Sequence, residues 1–209
     1  MIRKLAFILL TGLAMFMLIS GGCAKLPAGE SETKSVLMVI APNYFREDTT
    51  IGPKEELEQK GITVILASTT LDEATGVGGS KLKPQIKISE AQVKDYDAIV
   101  IAGGRGVKEY LWGDQELISL VQEAYQNNRL VAAICFSPVI LAQAGILKDK
   151  QATVFDDPDS ISELENNGVI YVNDSLVVSG KIITARDPAS AQDFVRAIWQ
   201  ALASNSIQQ

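Results

Sequence analysis

Histidine is absent from this chain of 209 residues, and cysteine occurs only as Cys23 and Cys135. Without imidazole, the sequence excludes Cys–His dyads, Ser–His–Asp triads and metal sites built on histidine. The two cysteines do not form the paired motif of a zinc site either. We therefore predict no metal and no other cofactor.

Basic residues are also in the minority. Lys and Arg number 19 against 25 Asp and Glu, which gives a formal net charge of −6, and no basic run occurs beyond the N-terminal residues. Proteins that bind nucleic acids are generally basic, so a nucleic-acid partner is not expected. The glycine-rich segment 103–106 lacks both the G-x-G-x-x-G spacing and the Walker lysine, which argues against nucleotide binding.

The N-terminus has the pattern of an export signal. Arg3 and Lys4 precede an apolar stretch over residues 5–19, and small residues then lead to Cys23. The segment resembles a bacterial lipobox, which implies cleavage before Cys23 and a lipid on that residue. The alternative is an uncleaved anchor helix, but the stretch is shorter than the ~20 residues that a span needs. Either way, we expect a membrane-tethered protein on the extracytoplasmic face of a bacterial cell envelope.

The signal defines three regions: the signal peptide, 1–22; a lipidated flexible tether, 23–34; and a folded domain, 35–209. In that domain, short apolar runs alternate with helical patterns, which predicts an α/β fold with a mostly parallel central sheet and helices on both faces. The main predicted strands are Ser35–Ala41, Ile62–Ser68, Asp97–Ala102 and Leu130–Ile134. Predicted helices cover Ile51–Lys60, Ser89–Lys94, Asp114–Asn127, Ser160–Asn167 and Pro188–Ala203. Short strands are expected at Thr153–Phe155, Val169–Val172, Leu176–Ser179 and Ile182–Thr184, and a small hairpin around Gly78-Gly79.

Cys135 lies where a wholly apolar strand passes into a helix that begins near Pro138. A thiol at that junction would be close to the N–H groups of a helix N-terminus, which favour a thiolate. With Cys23 assigned to the lipid, Cys135 has no disulfide partner within the chain, as expected for a reactive thiol. The alternative is a buried structural cysteine, because free cysteine is among the most buried residue types.

Three groups of chemical interest follow predicted strand ends: the loop 43–48, the glycine loop 103–106, and the pair Cys135-Phe136. Ligands of open parallel sheets bind at the carboxyl ends of the strands. The sequence therefore predicts one site at this edge, formed by a carboxylate-bearing loop, a glycine loop and a thiol.

Four segments resemble the ThiJ/PfpI family of the class I glutamine amidotransferase-like superfamily. They are PNYFREDTT, IAGGRG, AAICFSPVILAQAGILKDKQAT and IITARDPASAQDFVRAIWQAL, in the family's order. The resemblance extends from about residue 35 to residue 202. The resemblance implies a flavodoxin-like fold and, since the family is commonly dimeric, a homodimer.

The resemblance also implies roles for particular residues. Cys135 would be the nucleophile, Glu47 the acid that hydrogen-bonds the sulfur, and the N–H groups of Gly104 and Phe136 an oxyanion hole. Asp157 occupies the place of a His or Tyr that precedes proline in some relatives. From the residues alone, an exposed loop carboxylate is the favoured interpretation of Glu47, and a solvated turn that of Asp157.

The chain departs from the family pattern after the cysteine. Phe136 stands where His is frequent, and Ser137 replaces a glycine on the tight turn. We therefore expect glyoxalase- or deglycase-like chemistry on small reactive carbonyls and electrophiles, or oxidant sensing, with hydrolysis weakened by the lack of histidine. The alternative is a non-catalytic binding or structural lipoprotein that keeps the fold.

Overall fold

The structure is a computed structural model that describes residues 33–205. The predicted signal, the lipidation site Cys23 and the tether up to residue 32 lie outside the described residues. In the described part, no helix combines the length and the apolar character needed to cross a membrane.

Residues 33–205 form twelve strands and six α-helices. The strands are β1 (Ser35–Val39), β2 (Asn43–Phe45), β3 (Thr63–Ser68), β4 (Ala74–Gly76), β5 (Lys81–Leu82), β6 (Ile86–Lys87), β7 (Ala98–Ile101), β8 (Leu130–Ile134), β9 (Gln151–Ala152), β10 (Ile170–Tyr171), β11 (Leu176–Ser179) and β12 (Ile182–Ala185). The helices are α1 (Ile51–Gln59), α2 (Gly106–Tyr110), α3 (Gln115–Gln126), α4 (Pro138–Gln143), α5 (Pro158–Asn166) and α6 (Ala191–Asn205). Short 3₁₀ turns cover Glu47–Thr49, Ile88–Glu90, Val93–Asp95 and Pro188–Ser190.

Seven strands form the main sheet in the order β11-β12-β8-β7-β1-β3-β6. All neighbours are parallel except β11, which runs antiparallel to β12. The predicted α/β class with a mostly parallel sheet is thus confirmed. We call the edge where the parallel strands end the carboxyl edge, and the edge where they begin the amino edge.

Helices cover both faces of the sheet because β7 and β8 are apolar throughout and β1 is apolar from residue 36 onwards. On β1, Val36 and Met38 pack into one buried cluster with Phe194 of α6. Leu37 and Val39 pack into the other cluster, which includes residues of α3 and α4. Alternate residues of a strand point to opposite faces, so a continuous apolar run is what a two-sided core requires.

The structure differs from the sequence-based elements mainly in the short ones. The helix predicted at Ser89–Lys94 is replaced by two 3₁₀ turns with extended Ala91 between them. This arrangement buries Ile88 and Val93, which are spaced too irregularly for one face of a helix. The strand predicted at Thr153–Phe155 forms two residues earlier, as β9. The hairpin around Gly78-Gly79 is present and joins β4 to β5.

Candidate functional site at Cys135

Cys135 follows the last residue of β8 at the carboxyl edge and has a positive φ of 65°. Its N–H donates to the carbonyl of Ala185 at 3.0 Å, and its own carbonyl accepts from Phe155 N–H at 2.9 Å. A non-glycine residue in the left-handed region is strained and persists only where its surroundings hold it. The two hydrogen bonds tie both sides of this residue to neighbouring elements.

The sulfur is almost enclosed, since Cys135 is 4% exposed and belongs to one of the two apolar clusters. Burial raises the pKa of the Cys135 thiol to about 11. Hydrogen bonding by the backbone of Gly104 and Phe136 and the positive charge of Arg46 lower the pKa, whereas the negative charge of Asp187 raises it. Desolvation raises the pKa of the thiol by more than the other contributions change it.

The sequence predicts that the helix N-terminus favours a thiolate at Cys135. The raised pKa of the thiol contradicts that prediction. Helix α4 has only six residues, so its dipole is small. Removing the sulfur from water penalises the charged form more than the nearby N–H groups favour it. The raised pKa favours the protonated thiol at neutral pH.

Glu47 does not contact the sulfur. Its Oε1 accepts from Gly78 N–H at 2.8 Å and from Ser80 N–H at 3.4 Å, in the hairpin between β4 and β5. Although partial burial opposes them, these hydrogen bonds lower the pKa of the Glu47 carboxyl. The carboxylate thus stabilises the hairpin turn, and the predicted hydrogen bond from Glu47 to Cys135 is wrong.

Thr49 and Cys135 both lie next to Gly103. A Cβ built on Gly103 would lie 2.6 Å from Cys135 Cβ and 2.9 Å from Thr49 Oγ1. Thr49 is buried, accepts from Gly103 N–H at 3.1 Å and donates to the carbonyl of Arg46 at 3.1 Å. Sequence reasoning missed Thr49 because side chains two apart on a 3₁₀ turn point in different directions. Thr49 therefore anchors Gly103 close to Cys135.

The peptide groups after Cys135 are also fixed by neighbours. Trp112 Nε1–H donates to the carbonyl of Phe136 at 3.1 Å. Ser137 is fully buried with an ordinary φ of −73°, and its hydroxyl donates to the carbonyl of Ala102 at 2.6 Å. Serine in place of the family's glycine therefore causes no strain and links the turn to the end of β7.

Asp157 serves mainly as a helix cap. Its carboxylate accepts from the N–H and hydroxyl of Ser160 at 3.1 and 2.8 Å, which caps α5. It also pairs with Lys108 Nζ at 2.8 Å, and Lys108 lies 5.3 Å from the ring centroid of Phe136. The hydrogen bond from Lys108 is the main reason that the pKa of Asp157 is lowered, which makes the carboxylate a weak base. These contacts support a structural role for Asp157.

Across residues 33–205, no three His, Cys, Asp or Glu side chains are grouped so that they could hold a metal ion. The thiol instead has the backbone of Gly104 and Phe136 beside it, and partly buried aromatic rings pack against the same apolar cluster. Phe136 and Phe155, for example, lie with their ring centroids 4.8 Å apart. Such an arrangement can stabilise negative charge that develops next to the sulfur.

Comparison with known proteins identifies the family. The model of the DJ-1/PfpI family matches residues 34–201. The chain belongs to the DJ-1/PfpI family. An uncharacterized protein of Methanocaldococcus jannaschii is 42% identical over 205 residues, which are 98% of this chain and 99% of that protein. An uncharacterized protein of Staphylococcus aureus is 34% identical over 173 residues, which are 81% of this chain and 99% of the relative.

Solved DJ-1/PfpI structures show the same fold. The ThiJ/PfpI domain protein from Brachyspira murdochii has a TM-score of 0.78 at 29% identity, covering 82% of this chain and 98% of that one. Drosophila melanogaster DJ-1beta has a TM-score of 0.71 at 25% identity, and the match covers 84% of this chain and 94% of that one. The match covers almost the whole Brachyspira chain, which folds as this domain in its crystal structure.

Proposed function

We propose that this DJ-1/PfpI domain presents Cys135 as a slowly reacting thiol to small oxidants or reactive carbonyl compounds. The observation that carries the proposal is the positive φ of Cys135, held by hydrogen bonds on both sides. Backbone strain of this kind costs about 1–3 kcal/mol and is concentrated at functional sites. A cysteine that only filled space in the core would have no need of it.

The reactions that fit this site need no histidine. Peroxide would transfer one oxygen atom to the sulfur, which gives a sulfenic acid and water. With an aldehyde, the sulfur would bond to the carbonyl carbon while the thiol proton passes to the carbonyl oxygen, which gives a hemithioacetal. In both reactions, negative charge develops near the sulfur, where the backbone of Gly104 and Phe136 can stabilise it.

A non-catalytic binding or structural domain is the second candidate. It is favoured by the low exposure of Cys135 and by the elevated pKa of its thiol. A buried thiol with a high pKa is normally inert. The two functions differ in whether Cys135 reacts at all in the folded protein.

Peroxide treatment followed by intact-mass analysis separates the two candidates. We expect residues 33–209 to gain one or two oxygen atoms at Cys135, and the Cys135→Ser variant to lose that gain. Methionine oxidation is the background, and peptide mapping of both proteins accounts for it. Folded protein in which Cys135 stays unmodified, while denatured protein is oxidised there, would establish the non-catalytic alternative.

We further propose that a lipid on Cys23 tethers the domain to the extracytoplasmic face of a bacterial membrane. The sequence pattern of residues 1–23 supports this proposal. In a bacterial host, the full chain is expected to enter the detergent phase on Triton X-114 partitioning, and Cys23→Ser to prevent cleavage and lipid attachment. Mass analysis showing a mature chain without lipid at Cys23 would refute the tether.

A further inference from the structure

Basic residues are concentrated in the segments that lead into strands at the amino edge. These segments hold seven of them: Lys34, Lys60, Lys94, Arg129, Lys148, Lys150 and Lys181. The same segments hold three acidic residues: Asp95, Asp97 and Asp149. This local excess of positive charge contrasts with the net charge of −6 for the whole chain.

Contacts between these segments form one surface, which we call the basic edge. Strand β9 belongs to the two-stranded sheet, but Ser179 Oγ at the end of β11 donates to the carbonyl of Gln151 at 2.9 Å, which places the segment before β9 beside the segment before β12. Lys34 Nζ and Arg129 Nη1 lie 3.2 and 3.9 Å from the carboxylate of Asp97, so three segments meet there. Lys181 Nζ donates to the carbonyl of Asn128 at 2.8 Å, which joins the start of β12 to that of β8.

Part of this charge is not used inside the domain. Lys94 and Lys148 are exposed and form no ion pair within residues 33–205. Lys150 Nζ lies 5.9 Å from the ring centroid of Tyr125 and forms no ion pair with the described part of the chain. Their charges are available to an external anionic surface.

The opposite edge does not share this charge. The loops that follow β9, β10 and β12 carry Asp156, Asp157, Asp174 and Asp187, and Asp159 follows in the first turn of α5. Lys108 pairs with Asp157 and Asp159, and Arg186 pairs with Asp187, so Asp156 and Asp174 are the aspartates of this group without an ion pair among residues 33–205. Cys135 lies at this carboxyl edge, which has no excess of positive charge in these loops.

We infer that the basic edge docks on an anionic membrane surface and that the Cys135 edge faces the aqueous phase. The inference rests on the proposed tether at Cys23. Residues 24–34 lead into β1 at Ser35, which is on the amino edge, and they span at most about 40 Å when extended. A tether attached there holds the basic edge towards the bilayer, where each Lys or Arg strengthens binding about fivefold.

Vesicle sedimentation with residues 33–209, which lack the tether, tests the docking by itself. At low ionic strength, we expect binding to phosphatidylcholine vesicles that contain phosphatidylglycerol, no binding to phosphatidylcholine alone, and release by salt. Combined Lys94→Gln, Lys148→Gln and Lys150→Gln changes should weaken binding on the order of 100-fold. The matched control, Lys81→Gln with Lys83→Gln and Lys87→Gln, removes the same charge away from the basic edge and should retain most of the binding.

Tryptophan quenching by brominated lipid tests the orientation. Trp199 lies near the basic edge, with Lys60 Nζ 4.9 Å from its ring centroid, whereas Trp112 contacts the turn after Cys135. We expect stronger quenching in Trp112→Phe, which retains Trp199, than in Trp199→Phe.

Three results would overturn the inference: no binding to anionic vesicles, equal loss of binding in both triple variants, or tighter binding to duplex DNA than to the vesicles. None of these results bears on the lipid at Cys23, which is measured on the full chain, or on the oxidation of Cys135. Failure of the docking and failure of the proposed function can therefore be told apart.

Discussion

Alkylation of Cys135 by iodoacetamide should accelerate about tenfold per pH unit and approach its plateau only near pH 11, because the thiolate is the nucleophile and burial raises the thiol pKa to about 11. A free cysteine with a pKa of about 8.5 reaches its plateau more than two pH units earlier. At pH 7 we expect Cys135 to react roughly 300-fold more slowly than a cysteine in a short peptide, if reactivity follows the thiolate fraction. The measurement is the rate of mass gain at each pH.

Two controls define the cause of this slow reaction. Glu47→Gln should leave the pH profile unchanged, because the Glu47 carboxylate binds the β4–β5 hairpin and not the sulfur. Urea-denatured protein should react like the peptide. A plateau near pH 8.5 in the folded protein would contradict the raised pKa, and a profile shifted by Glu47→Gln would restore Glu47 as the partner of the thiol.

The same raised pKa makes the stability depend on pH. The pKa of the Cys135 thiol is higher in the folded state than in the unfolded state. Its contribution to the free energy of unfolding is therefore fully present below the pKa of the unfolded state. It is lost as the pH rises from about 8.5 towards about 11, because the unfolded state then releases the proton first. The free energy of unfolding should therefore decline less between about pH 8.5 and about pH 11 in Cys135→Ala than in the unaltered protein.

Gly104→Ala should lower the free energy of unfolding by roughly 2–5 kcal/mol, measured by urea denaturation. Gly104 has a φ of +124°, where an L side chain is strained, and an added Cβ would lie 2.4 Å from the carbonyl oxygen of Tyr44. Neither the strain nor the backbone contact can be relieved by rotating a side chain. The close approach of residue 104 to the loop 44–46 is what brings its backbone beside the sulfur.

Gly52→Ala is the matched control for this substitution. Gly52 lies in α1, and its added Cβ would meet nothing within 4 Å. Gly52 precedes Pro53, whose ring disfavours a helical conformation in a preceding residue that has a Cβ, and this opposes the gain from a less flexible unfolded chain. Alanine should therefore change the free energy of unfolding by less than about 1 kcal/mol. If both variants changed stability in the same direction and by similar amounts, the close packing at Gly104 would not be the cause.

The sequence by itself determined the main elements and their arrangement. The apolar run Leu130–Ile134 forms β8, buried on both faces, and Asp114 caps α3 by accepting from Leu117 N–H at 2.8 Å. These patterns are local: residue spacing fixes which face is apolar, and a capping side chain acts within one turn. The elements missed from sequence were short. Helix α2 has five residues and β2 three, too few for a periodic pattern.

The environment of the thiol was decided only by the tertiary structure. Spacing placed Cys135 after a strand, but its burial depends on packing against elements distant in the chain. The loop 43–48 lies at the carboxyl edge as predicted, but the 3₁₀ turn directs Glu47 to the β4–β5 hairpin and not to the sulfur. The pKa of a thiol is set by desolvation and by nearby charges and donors in three dimensions, so no local pattern could determine it.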